Sequence, residues 1–212
     1  MSDGAPTHTP ILLIHGLGRG PASMLPLAWR LGRAGFSVQR PGYPSTRLGV
    51  EAAIAHMRGV VARLAPSGAM VDLVGHSLGG LIASTLLRDP RGLAIRRVVQ
   101  LGSPNLGSPL ASRLGGGGPV RRICGPALRD LGPHDHHPER SDAVAAIAGT
   151  IGPRGMPMYG PNDGAVSVRS AWSGAGHRTA VPVIHTLLPA SARVAVLVTA
   201  FLRDGRFPEQ NA

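Results

Sequence analysis

A chain of 212 residues, 43% of them apolar, suits one domain with a single hydrophobic core, and no apolar run approaches the ~18 residues of a membrane helix. The net charge of +11 raises nucleic acid or an acidic membrane surface as a partner, but all 22 basic residues are arginine, only the pairs Arg96-Arg97 and Arg121-Arg122 are adjacent, and aromatics make up 3%. With 30 Gly and 20 Pro, the arginine excess reads as a composition bias, so no nucleic-acid partner and no stable membrane insertion are expected.

The opening stretch MSDGAPTHTPILLIHG lacks a positive n-region, an apolar h-region and a small-residue cleavage site, which predicts a cytoplasmic protein. PILLIH (10–15) predicts a buried strand, PASMLPLAWRLGRAG (21–35) a helix, and FSVQRP (36–41) a strand broken by PGYP. GVEAAIAHMRGVVARLA (49–65) has a helical period, MVDLVG (70–75) is a strand and SLGGLIASTLLRD (77–89) a helix. IRRVVQLGS (95–103), AVAAIAGT (143–150) and TAVPVIH (179–185) predict strands, and SARVAVLVTAFLRDG (191–205) a last helix ended by Gly205 and Pro208. This alternation argues for one domain over 1–212, a mostly parallel sheet with helices on both faces. Residues 103–141, with GGGG at 115–118 and HDHH at 134–137, form an irregular segment near the strand ends.

The most informative stretch is VDLVGHSLGGLIASTLL (71–87). A serine between Gly75 and Gly79, where a strand hands over to a helix, is the pattern of a nucleophile elbow. The glycines let strand and helix meet closely, Ser77 Oγ is pushed outward, and the Leu78 N–H lies at a helix N-terminus where it can face an oxyanion. The bland reading, a phosphate loop, fails because the Lys-Ser/Thr ending and the G-x-G-x-x-G spacing are both missing. A serine nucleophile needs a base, an orienting acid and a second oxyanion donor.

The second donor is expected from His15-Gly16-Leu17-Gly18, through the Leu17 N–H. The candidate acids are Asp130, Asp135, Asp142 and Asp163; Asp163, in GPNDGAVSV after a strand, is favoured by chain order over a simple Asn-Asp-Gly turn. His185 at the end of TAVPVIH is preferred as base over His177, which the pattern places in a polar turn. His15, His76, Asn105 and Leu106 are candidate substrate contacts, His15 chiefly as a brace for its loop. The dense HDHH run suits a surface loop better than a zinc site, so no metal is expected, and lone Cys124 excludes an internal disulfide.

Together HGLG, GHSLGG, GSPNLGSP, PNDGAVSVRS and IHTLLP resemble the α/β-hydrolase superfamily, most of all its small lipase-like bacterial members, over Pro10 to Phe207. The resemblance implies a Ser77–Asp163–His185 triad, oxyanion donors at Leu17 and Leu78, no cofactor, and cleavage of a small-molecule or lipid ester through an acyl-enzyme. Two departures predict a reduced fold: no strand precedes PILLIH, leaving about six strands, and no insertion is long enough for a large lid. Thioesterase or acyltransferase activity would use the same residues, and a catalytically idle hydrolase fold that binds a ligand or partner is the reading of another class.

Overall fold

The computed structural model describes residues 9–65, 68–108, 111, 125–132, 141–152 and 160–209. Cys124, Asp135 and the HDHH run fall outside them.

The strands are β1 (Ile11–Ile14), β2 (Val38–Gln39), β3 (Val71–His76), β4 (Ile95–Leu101), β5 (Ser141–Gly149) and β6 (Ala175–Val181). They form one sheet in the order β2-β1-β3-β4-β5-β6, with every neighbouring pair parallel. The helices are α1 (Leu25–Arg33), α2 (Val50–Leu64), α3 (Leu78–Arg88), α4 (Ala127–Asp130), α5 (Val168–Trp172) and α6 (Ala192–Asp204), with 3-10 turns at Pro21–Met24 and His185–Ala190. None of the described helices is long and apolar enough to cross a membrane.

Alternation along the strands divides the core. Leu12, Ile14, Leu73 and Val98 pack against α2 and α3 through Met57, Val61, Ile82 and Leu86. Ile11, Leu13, Val74 and Val99 meet α1 and α6 through Leu27, Leu31, Val198 and Phe201. Because every strand points the same way, every strand delivers its following loop to one edge of the sheet.

Some boundaries move. The strand expected at 36–41 is only the two-residue edge β2. The last strand starts earlier than expected, at Ala175 after the positive-φ Gly174, and stops at Val181 because Pro182 has no N–H to continue the ladder. His177 is therefore not in a polar turn: it sits within β6 opposite Ala145, its ring 5.2 Å from that of Phe201. His185 lies past the strand and opens a 3-10 turn. Of the other acid candidates, Asp142 is near the start of β5, away from the carboxyl edge, and Asp130 accepts the Val50 N–H at 2.9 Å, which caps α2.

Candidate active site

Ser77 follows β3 with φ 55° and ψ −121°, a backbone conformation rare for a residue with a side chain. The turn is held by the Ser77 N–H donating to Leu101 O at 2.9 Å and by Gly80 N–H donating to Ser77 O at 3.0 Å. The flanking glycines are required by contact: a Cβ on Gly75 would lie 2.2 Å from the Gly79 carbonyl carbon, and one on Gly79 2.2 Å from Ile14 O. The loop after β1 closes on this turn, since a Cβ on Gly16 would stand 3.1 Å from Ser77 Cβ. The N–H groups of Leu17 and Leu78 have no acceptor among the described residues, and Leu78 is the first residue of α3, where the helix dipole favours negative charge.

Asp163 follows β5 in an Asn-Asp-Gly turn that buries its carboxylate. Oδ1 accepts the Ala165 and Val166 N–H groups at 3.0 and 2.8 Å, while Oδ2 faces His185 Nδ1 at 2.8 Å. The His185 N–H donates to Asp163 O at 2.9 Å, so backbone and side chain fix the same pair. A carboxylate can only accept, which places a proton on Nδ1 and leaves the Nε2 lone pair of His185 available. Ser77 Oγ makes no hydrogen bond to a described residue, His185 included; such bonds in ligand-free sites are often long and tighten with substrate.

Gly102, just past β4, is a site residue that motif reading missed. Its φ is +59°, and a Cβ there would lie 2.9 Å from Asp163 Oδ2 and 3.1 Å from His185 Nδ1. Gly102 opens the GSPNLGSP motif, but the strand expected over 95–103 ran through it and gave no sign of this contact.

The four expected substrate contacts separate. His15 is fully buried and stacked on Tyr43 at 4.5 Å between centroids; Nδ1 lies 3.0 Å from Gly16 O, and Tyr43 Oη donates to His15 O at 3.0 Å. It braces the loop after β1 and is closed off from solvent; burial lowers its pKa. Tyr43, which braces from the other side, was not legible in PGYP.

Asn105 is also buried, its amide spent on Gln100, Ala171 O and Ser173 O, so it ties the loop after β4 to α5 instead of touching substrate. Leu106 is half-buried, and its N–H donates to Ser170 Oγ at 3.0 Å.

His76 is buried as well, and its Nε2 lies 3.0 Å from His185 O. Since a carbonyl only accepts, Nε2 carries the proton; Nδ1 has no partner among the described residues and faces Gly16. Burial first, and then the neighbouring His185 ring 4.8 Å away, push the His76 pKa down to about 3, so the ring stays neutral. His76 thus holds the His185 backbone in place and is itself closed off from solvent.

The carboxyl edge therefore gathers a half-buried serine on a tight turn, a carboxylate–imidazole pair and two amides with no acceptor among the described residues, from loops far apart in sequence. The sequence model of the Alpha/beta hydrolase family matches residues 11–208, and the chain belongs to that family. Within it, the fold is similar to the mature lipase of Bacillus licheniformis, at 22% identity over 94% of this chain and 92% of that one, with a TM-score of 0.69. It is also similar to a Listeria innocua protein (17% identity, 96% of each chain, TM-score 0.61). A type II thioesterase of the yersiniabactin pathway shares it too (14% identity, 94% of this chain and 93% of that one, TM-score 0.65). No curated protein matches the chain.

Proposed function

We propose that the protein is a serine hydrolase of carboxylic esters that works through an acyl-enzyme on Ser77. The observation that carries this reading is the 2.8 Å Asp163–His185 pair on the same sheet edge as a serine held at φ 55°. His185 Nε2 takes the Ser77 proton as Oγ attacks the ester carbonyl. Asp163 keeps the proton of His185 on Nδ1 and stabilises the imidazolium. The tetrahedral oxyanion sits against the Leu17 and Leu78 amides, each donor worth about 3 kcal/mol in such sites. His185 then protonates the leaving alkoxide, which departs as the alcohol. Water, deprotonated by the same nitrogen, attacks the acyl-enzyme, releasing the acid and restoring Ser77. None of these steps calls on a metal or organic cofactor.

A thioester is the second reading, favoured by the shared architecture with the yersiniabactin-pathway thioesterase, whose name states that activity. The same oxyanion geometry serves either leaving group. A p-nitrophenyl ester chain-length series beside acyl-thioester substrates, run with wild type and Ser77→Ala, tests both. Ser77→Ala is expected to lose hydrolysis and labelling by a fluorophosphonate; full activity in that variant overturns the nucleophile assignment.

A further inference from the structure

Five of the eight large apolar side chains exposed among the described residues lie on three elements that pack on one another: Leu25 and Trp29 on α1, Ile184 and Leu187 around the turn at His185, and Val196 on α6. Trp29 and Val196 are 62% and 60% exposed. The clustering follows from topology. Since β1 and β6 run parallel, the helices after them both start at the carboxyl edge, next to the site, and run away from it side by side.

Along α1, Leu25, Trp29 and Arg33 recur every fourth residue and share a face; along α6, Ala192, Val196 and Arg203 do the same, the last two a turn further apart. Between the helices lies an open groove of about 490 Å³. Its end nearest the site is apolar. Its far end carries Arg33 and Arg203, with Arg30 beside them and Asp204 as the single carboxylate. The Arg33 and Arg30 guanidinium groups lie 5.3 and 5.9 Å from the Trp29 ring centre, which joins the apolar tier to the cationic one.

We propose that the end of the α1–α6 pair nearest the site docks the protein on a lipid bilayer rich in anionic phospholipid, with the helix axes steep to the surface. At 1.5 Å per residue, Trp29 lies ~6 Å beyond Leu25 along α1 and Arg33 another ~6 Å beyond that. An interfacial amphipathic surface sinks ~5–10 Å into the boundary between headgroups and acyl chains. The apolar tier matches that depth, and the arginines fall at the level of the anionic headgroups, where each contributes to attraction. The apolar half of the groove is made of Trp29, Val196 and alanines, with Thr199 as its one hydroxyl, so it has little with which to orient a structured partner. A fluid surface requires no such partner.

Three of the 22 arginines gather at this groove against one carboxylate, a local excess of positive charge. Docking would bring Ile184 and Leu187, which flank His185, to the membrane. If the hydrolase reading holds, this makes lipid esters the substrate class.

The test uses the full-length Ser77→Ala protein, so that binding is read without catalysis, sedimented with vesicles of phosphatidylcholine alone or mixed with phosphatidylglycerol. The expected result is binding to the anionic vesicles only, with a blue shift in tryptophan fluorescence. Raising salt from about 0.1 to about 1 M, which shortens the Debye length from ~10 to ~3 Å, should release the protein. Arg33→Gln should weaken binding about fivefold, and Trp29→Ser should remove the blue shift. In the otherwise wild-type protein both variants should keep their melting temperature and their rate on a soluble short-chain ester.

Equal binding to neutral vesicles, no binding to anionic ones, or unchanged binding by both variants overturns the proposal. So does a concentration-dependent dimer, or an acidic protein partner, that covers Trp29 in place of lipid. Vesicle binding by a protein that hydrolyses nothing would leave docking standing and remove the enzymatic reading alone.

Discussion

Replacing His76 probes its support of His185, the proposed base. In His76→Leu the 3.0 Å hydrogen bond to His185 O disappears, and that carbonyl loses its buried donor. Leaving a buried acceptor unpaired costs about 1–3 kcal/mol. If the cost falls on the placement of His185 in the transition state, kcat drops by about 5- to 150-fold, since 1.36 kcal/mol is tenfold in rate. KM should change little, because His76 is buried and does not meet substrate.

Gln offers an amide donor near the position of Nε2, so His76→Gln should recover to within about threefold of wild type. The assay is steady-state hydrolysis of a short-chain p-nitrophenyl ester, with melting temperatures recorded for each variant. A role in packing alone would make Leu at least as good as Gln. Wild-type kcat in His76→Leu, or no recovery in a fully folded His76→Gln, would refute the positioning argument.

His76 also predicts a pH dependence of stability. Its native pKa is about 3 against 6.5 when free, so below pH 6.5 the unfolded chain binds a proton that the native state refuses. Its contribution is full above 6.5 and is lost toward pH 3 at about 1.4 kcal/mol per unit; urea midpoints should show a shallower acid slope in His76→Leu, and identical slopes would contradict it. Gly102→Ala forces a Cβ to within 2.9 Å of Asp163 Oδ2 at a φ of +59°, and should lower kcat at least tenfold while costing about 1–2 kcal/mol of stability; an alanine variant of wild-type activity would show that the pair tolerates displacement. Asp163→Asn should reduce kcat by about 10²- to 10⁴-fold with fold retained, because the amide can no longer hold the Nδ1–H tautomer; a loss below tenfold would argue that another group orients His185.

Local patterns were legible without any coordinates. Alternation and helical period placed β1, β3, α2 and α3 to within a residue or two, because those signals depend on neighbours a few positions apart. Gly75 announced the elbow because the close approach it permits, to the Gly79 backbone, is between elements adjacent in the chain, whereas Gly79 makes room for Ile14 O on β1. Asp163 could be read from its turn, whose two amide donors lie two and three residues on.

What failed to show in the sequence were contacts between distant segments. The His76 ring meets a carbonyl 109 residues away, and no spacing rule reports it. Gly102 is needed for two residues that arrive on other loops, and His15 finds its brace in Tyr43 across the sheet edge. The sequence pattern separates His185, at a strand end, from His177, in a polar turn, but strand pairing begun after Gly174 and ended by Pro182 puts His177 inside the sheet and His185 beyond it. The chain alone thus determined the elements and the chemical types at their ends, since both are set by local conformational preference. Only the packed sheet decided which ends meet, because that depends on register and on which buried polar atoms find partners.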